Sequence, residues 1–241
     1  MKSITVVIPT TGKESAIKAV NSVKNQTYQN ITPLLVYDGP NISKLDIECD
    51  YMVLPYNTGA DGYYGHRIYS AMSSLVNTDY IMFLDEDNWF ETNHASELIE
   101  TIEKNDYLWA YSLRKIYENN EFVCDDNCES LGQWAVYVNA NNFLVDTSCY
   151  CIRRDVGIKL GGAIYGKWGA DRQFLSVLKQ YAPKFGSTKK HTVCYSLGGN
   201  EGSVTRDFFE KGNTIMFEKY AGEYPWHSND ASPDDKIVIE I

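Results

Sequence analysis

Through its first hundred-odd residues the chain alternates short apolar runs with amphipathic stretches. Ile4-Thr5-Val6-Val7-Ile8, closed by Pro9-Thr10-Thr11-Gly12, predicts a first strand and its loop. Ala16, Val20 and Val23 recur at helical spacing and predict a helix over about 13–25. Ile31 to Tyr37 predicts a second strand, ended by the turn signal Asp38-Gly39-Pro40. Tyr51 to Leu54 predicts a short third strand, followed by the polar, glycine-rich loop Asn57-Thr58-Gly59-Ala60-Asp61-Gly62. Tyr64, Ile68, Met72 and Leu75 predict a helix of about 63–76, and Asp79 to Leu84 a fourth strand. Ala95, Leu98, Ile99 and Ile102 mark the next helix, with Thr92 or Asn93 as its N-cap.

Strands alternating with helices imply an α/β fold with a parallel sheet and right-handed crossovers. No G-x-G-x-x-G follows the first strand, which argues against a dinucleotide fold. The second half is less regular. Tyr107 to Tyr117 and Glu121 to Cys124 fit a hairpin, and Phe143 to Ile152 reads as strand, turn or bulge, strand. Phe174, Leu175, Leu178 and Tyr181 predict a helix starting near Ala170-Asp171, and His191 to Leu197 a last core strand. Gly198 to Gly202 reads as a flexible loop, and the segment from Phe208-Phe209 onward carries no assignable period. Residues 228–235 read as mobile and 236–241 as an edge strand or disorder. A chain of 241 residues suits one domain with a full core. It divides into a first half over 1–105 that looks like a nucleotide-binding α/β unit, a second half over 106–220 and a tail over 221–241.

Composition narrows the function. The net charge is −10, so a nucleic-acid surface, which needs a basic stripe, is not expected. No apolar run approaches the ~20 residues of a membrane span, and the N-terminus lacks a signal-peptide pattern, so a cytoplasmic protein is expected. The six cysteines are then expected to be reduced, and the spacings at Cys124/Cys128 and Cys149/Cys151 match zinc sites poorly. The Asn-x-Ser/Thr sequons at Asn25, Asn30 and Asn41 carry little weight in that compartment.

The strongest chemical signal is Tyr80-Ile81-Met82-Phe83-Leu84 running straight into Asp85-Glu86-Asp87. An all-apolar run reads as a strand buried on both faces, and open parallel sheets bind ligands at the carboxyl ends of such strands. In an extended segment Asp85 and Asp87 would face one spot, where hard oxygen ligands suit Mg²⁺ or Mn²⁺. A solvated acidic turn is the plain alternative.

Several segments together resemble the family 2 glycosyltransferases of the GT-A fold. Val6-Val7-Ile8-Pro9-Thr10 is similar to the family's opening strand. Ala19 to Tyr28 resembles its helix end, Val36-Tyr37-Asp38-Gly39-Pro40 its second strand, and Asp85-Glu86-Asp87 falls where its D-x-D motif falls. The likeness covers about 3–92 closely and 143–197 loosely. It implies a Rossmann-like, mostly parallel central sheet with flanking helices and a smaller acceptor-side subregion. It also implies an inverting, metal-dependent transfer from a nucleoside-diphosphate sugar, with a UDP-sugar favoured, to a glycan, lipid-linked or protein-linked saccharide. Carried over, Pro9, Thr10, Thr11, Asp38, Asp61, Arg67, Asp85 and Glu86 would contact the donor nucleotide. Asp87 would bind Mn²⁺ or Mg²⁺ with help from Asp85, and Asp171 would be the general base. The family usually has Glu-Asp at that last position, where this chain has Ala170-Asp171, and Arg-Asn where it has His66-Arg67.

Such a transfer needs charge neutralisation on the diphosphate, a base for the acceptor hydroxyl and a shaped sugar pocket. His191 is the expected further ligand to metal or diphosphate, with Arg206 and Lys211 as candidate diphosphate partners. Trp168, Trp134 and Tyr150 are the candidate sugar platforms. Plainer readings exist: Asp38 as a turn former, Asp171 as a helix cap, His191 as an ordinary histidine and Trp168 as core. Two other classes share this half of the fold: a nucleotidyltransferase that makes sugar nucleotides, and a non-catalytic carbohydrate-binding protein. The first would want a basic, glycine-rich phosphate loop after strand one, of which Thr10-Thr11-Gly12-Lys13 is a faint version.

Overall fold

The computed structural model of the protein describes residues 1–138, 143–199 and 203–227. The predicted alternation is present in the N-terminal half. It runs β1 (Ile4–Thr10), α1 (Ser15–Lys24), β2 (Ile31–Tyr37), β3 (Asp50–Val53), α2 (His66–Leu75), β4 (Tyr80–Phe83), β5 (Trp89–Phe90) and α3 (His94–Asn105). Next come the hairpin β6 (Trp109–Glu118) and β7 (Glu121–Asp125), then β8 (Tyr150–Arg153) and α4 (Arg154–Leu160). The last elements are α5 (Ala170–Tyr181), β9 (Phe185–Ser196) and α6 (Arg206–Lys219).

One sheet runs in the order β3-β2-β1-β4-β8-β6-β9-β5, with β7 beside β6. The first four strands pair in parallel. β8 is antiparallel to both β4 and β6, and β6 runs parallel to β9. β1, β2, β3, β4, β6 and β9 therefore point one way and β5, β7 and β8 the other. This is the mostly parallel, helix-flanked sheet that the sequence predicts.

β4 lies at the centre, and all four of its side chains are buried. Its alternate residues serve two helical layers. Tyr80 reaches Glu103 of α3 on one face, while Ile81 meets Gly157 of α4 and Phe83 meets Tyr69 of α2 and Phe174 of α5 on the other. Burial of this kind stabilises by about 1.5–3 kcal/mol per large apolar side chain. The two layers leave the carboxyl ends of β1, β2 and β4 open, and the site lies there.

The second half departs from the sequence reading in three ways. Phe143 to Thr147 forms no ladder, although Leu144 and Val145 are buried. β9 begins at Phe185, six residues before the predicted start, because its first part pairs with Trp109, Ala110 and Tyr111 of β6. The unassigned segment forms α6, capped by the Thr205 side chain on Phe208 N–H. Residues 200–202 of the predicted glycine loop and the tail beyond 227 lie outside the described residues.

His94 opens α3 from a fully buried position, stacked on Phe90 at 3.9 Å with Nδ1 at 2.8 Å from Thr192 Oγ1. Burial pushes its pKa down to about 3. The unfolded chain takes up this proton near pH 6.5 and the folded chain does not, so stability is complete above that pH and declines as pH falls below it. Urea titrations at pH 7.5 and 5.5 should show a loss with a limiting slope of about 1.4 kcal/mol per pH unit from this group. His94→Gln should flatten that dependence; an unchanged slope in the variant would contradict the assignment.

Candidate active site

A cleft of about 540 Å³ opens at the carboxyl ends of β1, β2 and β4. That volume suits a ligand of nucleotide-sugar size. Pro9, Thr10, Thr11, Asp38, Asp85, Glu86, Asp87, Trp168 and Asp171 all line it, so nine of the sequence-predicted site residues meet in one place.

The acidic motif sits in a turn. β4 ends at Phe83, and Asn88 N–H donates to Asp85 O at 3.1 Å, closing a turn over Asp85–Asn88. Extended alternation is therefore not what brings the two aspartates to the cleft; the turn does. Asp85 accepts from Tyr69 Oη at 2.6 Å. Its backbone N–H donates to Ser148 Oγ at 3.3 Å. Burial, then the charges of Asp146 and Asp87, push the Asp85 pKa up, while the Tyr69 hydrogen bond opposes the shift. Asp87 is raised too, first by burial, with Lys13 opposing. Gly199 passes close above it: a Cβ there would lie 1.8 Å from Asp87 Oδ2, so only glycine fits without displacing that carboxylate.

The middle acid has a different role. Glu86 accepts from Thr10 Oγ1 at 2.7 Å, Thr11 N at 3.1 Å and Thr11 Oγ1 at 2.8 Å, and faces Lys13 Nζ at 3.6 Å. It ties the loop after β1 to the turn after β4. Asp38, at the end of β2, is likewise committed to a loop. Its Oδ1 accepts from Thr58 N at 2.6 Å and Thr58 Oγ1 at 2.7 Å, and its Oδ2 from Gly59 N at 2.8 Å. A Cβ at position 59 would sit 2.5 Å from Tyr64 O and 2.9 Å from Asp38 Oδ2, which is why glycine stands there. Asp38 is therefore more than a turn former: its carboxylate pins the far wall of the cleft.

Asp171 lies in the first turn of α5, but the N-cap position is Gly169, in the left-handed region at φ 87°. Asp171 Oδ1 accepts from Arg172 N at 2.8 Å. Burial raises its pKa, with that N–H opposing and the Asp146 charge adding. Beside it Trp168 is 80% exposed, so it is not core.

Seven expected contacts are placed elsewhere. His191 does not line the cleft. It lies four residues before the cleft residue Tyr195 on β9, ~13 Å along the strand at its usual rise, and faces Asp125, Asp126 and His227. Trp134 is buried against Tyr111 and Trp226. Tyr150 is buried between Trp109 and Phe174, because it stands on β8 in the sheet's core. Arg67 stacks 3.4 Å from the Tyr63 ring centroid and donates to Thr58 O at 3.2 Å, supporting the loop from behind. Asp61 is exposed on that loop and outside the cleft lining. Arg206 and Lys211 are also elsewhere, paired on α6 with Glu210 at 2.7 Å and Asp207 at 2.7 Å.

The structure adds residues that the sequence did not single out. Arg114 on β6 forms the floor. Its guanidinium binds Asp126 at 2.7 Å, Asp146 at 2.5 Å and Glu129, and Glu129 also meets Arg172 at 3.5 Å. His66 lines the cleft with Nδ1 at 2.9 Å from Gly166 O. Lys13, which the sequence offered only as part of the faint phosphate loop Thr10-Thr11-Gly12-Lys13, is about half exposed and is the cleft cation least committed to protein partners.

Asp85, Asp87 and Asp146 interact through charge at the cleft floor, a hard-oxygen set that suits a divalent cation. Among the described residues no three acidic, histidine or cysteine side chains converge on one point, so the protein alone would not complete a coordination sphere. A bound diphosphate and water would supply the remaining oxygens, as is usual for Mg²⁺.

Residues 5–127 match the sequence profile of the glycosyl transferase family 2. No curated protein sequence matches the chain. The fold is similar to Staphylococcus aureus TarS 1–349 in complex with UDP, at 14% identity and a TM-score of 0.61, over 90% of this chain and 65% of that one. The complex of TarS 1–349 with UDP-GlcNAc is similar at 13% identity and a TM-score of 0.61, over 90% of this chain and 66% of that one. A longer TarS structure matches at 12% identity and a TM-score of 0.59, and there the chain covers 39% of the protein. The chain thus spans less than two thirds of the solved proteins it resembles. No described helix is long and apolar enough to cross a membrane.

Proposed function

Because the chain belongs to glycosyl transferase family 2, we propose that it transfers a sugar from a nucleoside-diphosphate sugar, a UDP-sugar in first place, to a saccharide hydroxyl with inversion at the anomeric carbon. The observation that carries this reading is the placement of Asp85, Asp87 and Asp171 around one cleft of about 540 Å³. The nucleotide would lie over the β1 and β2 ends, between Pro9 and the loop that Asp38 pins. The UDP and UDP-GlcNAc complexes of TarS support a uridine donor.

Asp87, with Asp85 beside it, would hold Mn²⁺ or Mg²⁺ against the diphosphate. Such a cation neutralises charge that develops on the leaving group. Lys13 adds a positive charge on the same side. Asp171 would accept the proton of the acceptor hydroxyl as its oxygen attacks the anomeric carbon. The bond to the diphosphate breaks on the opposite face, and the diphosphate leaves with the electron pair. A raised pKa makes Asp171 a stronger base than an exposed carboxylate. Trp168 would stack on a sugar face. A nucleotidyltransferase is less well supported, because the donors of Thr10 and Thr11 are already taken by Glu86.

The test is release of nucleoside diphosphate from UDP-, GDP- and dTDP-sugars with Mn²⁺ present and a mixed glycan acceptor. UDP release above the no-enzyme rate is expected, with an inverted product by NMR. Release of pyrophosphate from UTP and a sugar phosphate would replace this reading with nucleotidyl transfer. A retained anomeric configuration would remove Asp171 as base.

A further inference from the structure

On the acceptor side of the cleft both arginines among the described residues are already matched by protein carboxylate. Arg114 is buried and bound to Asp126, Glu129 and Asp146, an excess of two negative charges around one guanidinium. Arg172, near Asp171, meets Glu129 at 3.5 Å, and His66, which also faces Asp171, has its Nδ1 at 2.9 Å from Gly166 O. Lys167 flanks the exposed Trp168, yet its Nζ is 5.2 Å from the Tyr63 ring centroid and it does not line the cleft. Outside the described residues, 139–142 and 200–202 contain no lysine or arginine and 228–241 contain one, Lys236. Lys13, the remaining cleft cation, faces Glu86 at 3.6 Å and interacts with Asp87, on the side of the acidic turn.

A phosphate or carboxylate on the acceptor would enter this half of the cleft beside Asp171, Asp146 and Glu129 with no unpaired arginine or lysine among the described residues to meet it, and like charges held close cost several kcal/mol. What the surface does offer is Trp168, 80% exposed at the rim, with Asp171 three residues on in the next turn. An exposed indole offers its negative π face to an apolar sugar face, or to a cation, and not to an anion. We propose that the acceptor is an uncharged saccharide, stacked on Trp168, and that the cleft discriminates against acceptors carrying phosphate or uronate near the reacting hydroxyl. This rests on the glycosyl-transfer reading above and sharpens its substrate class.

The experiment is a glycan array carrying neutral, uronate-bearing and phosphorylated oligosaccharides, probed with the full chain in UDP and Mn²⁺, alongside calorimetry of UDP with the same protein. Neutral glycans should dominate the bound set, and their signal should change less than twofold between 0.1 and 0.5 M NaCl, since no ion pair is involved. Trp168→Ala should lower that signal at least ~5-fold with an unchanged melting temperature and UDP affinity. An array on which neutral glycans are not enriched over anionic ones, a blank array included, overturns the inference. If UDP still binds, the failure is of the acceptor class alone; if UDP also fails to bind, the proposed function fails with it.

Discussion

Asp171→Asn is expected to lower kcat by ~10²–10⁴-fold, the usual contribution of a positioned general base. The amide keeps the size of the side chain and can still accept from Arg172 N–H, the hydrogen bond seen at 2.8 Å. It cannot take the acceptor proton. Donor affinity should be nearly intact, so the loss falls on kcat. The helix should tolerate the change, because the N-cap is Gly169 and Asp171 makes no capping bond. Activity of the native enzyme should fall as pH drops through the folded pKa of Asp171. Burial sets that value above the ordinary carboxylate range, so the acid limb of the kcat profile should be displaced upward. A variant with normal melting temperature, normal UDP affinity and near-native turnover would rule out Asp171 as base.

Asp87→Asn is expected to weaken UDP binding in Mn²⁺ by roughly 10–100-fold, the scale on which metal sites respond to a damaged ligand set. The same variant should bind UDP equally with Mn²⁺ and with EDTA. Stability should not fall, because burial raises the Asp87 pKa and the fold gains little from keeping this carboxylate ionised. Asp85→Asn should weaken binding less directly and cost some stability, since Asp85 also accepts from Tyr69 in the α2 layer at 2.6 Å. Metal dependence that survives in Asp87→Asn would place the cation elsewhere.

The N-terminal half was legible because β1 and β4 are buried on both faces and its helices show one apolar stripe each. β2 was read at its observed bounds, Ile31–Tyr37, and α2 and α3 were located by their buried Ile68, Met72, Leu98 and Ile102. α6 was not legible, since it buries only Phe209, Gly212 and Met216, too narrow a stripe to fix a period. The Asp-x-Asp signal located the cleft, although the alternation argument behind it fails at a turn. Asp38, Asp85, Asp87 and Asp171 were legible because each ends a strand or begins a helix at the open edge of the sheet. His191 and Tyr150 were misplaced because a polar or aromatic residue on a strand can face the core as readily as a ligand, and periodicity does not say which; Trp134 lies in an irregular segment with no period at all, and packs on Tyr111 and Trp226. The Arg114 cluster was hidden for another. Its partners Asp126, Glu129 and Asp146 come from loops with no sequence spacing in common, and only the tertiary fold brings them to one guanidinium.

Calorimetric titration of UDP into the wild-type protein, once with Mn²⁺ and once with EDTA, tests the central claim most directly. A cleft whose floor carries Asp85, Asp87 and Asp146 should repel a bare diphosphate and bind it through a shared cation. Saturable binding in Mn²⁺ that weakens at least tenfold in EDTA, about 1.4 kcal/mol, is the predicted result. No UDP binding with Mn²⁺ present, or equal binding with and without the cation, would contradict it.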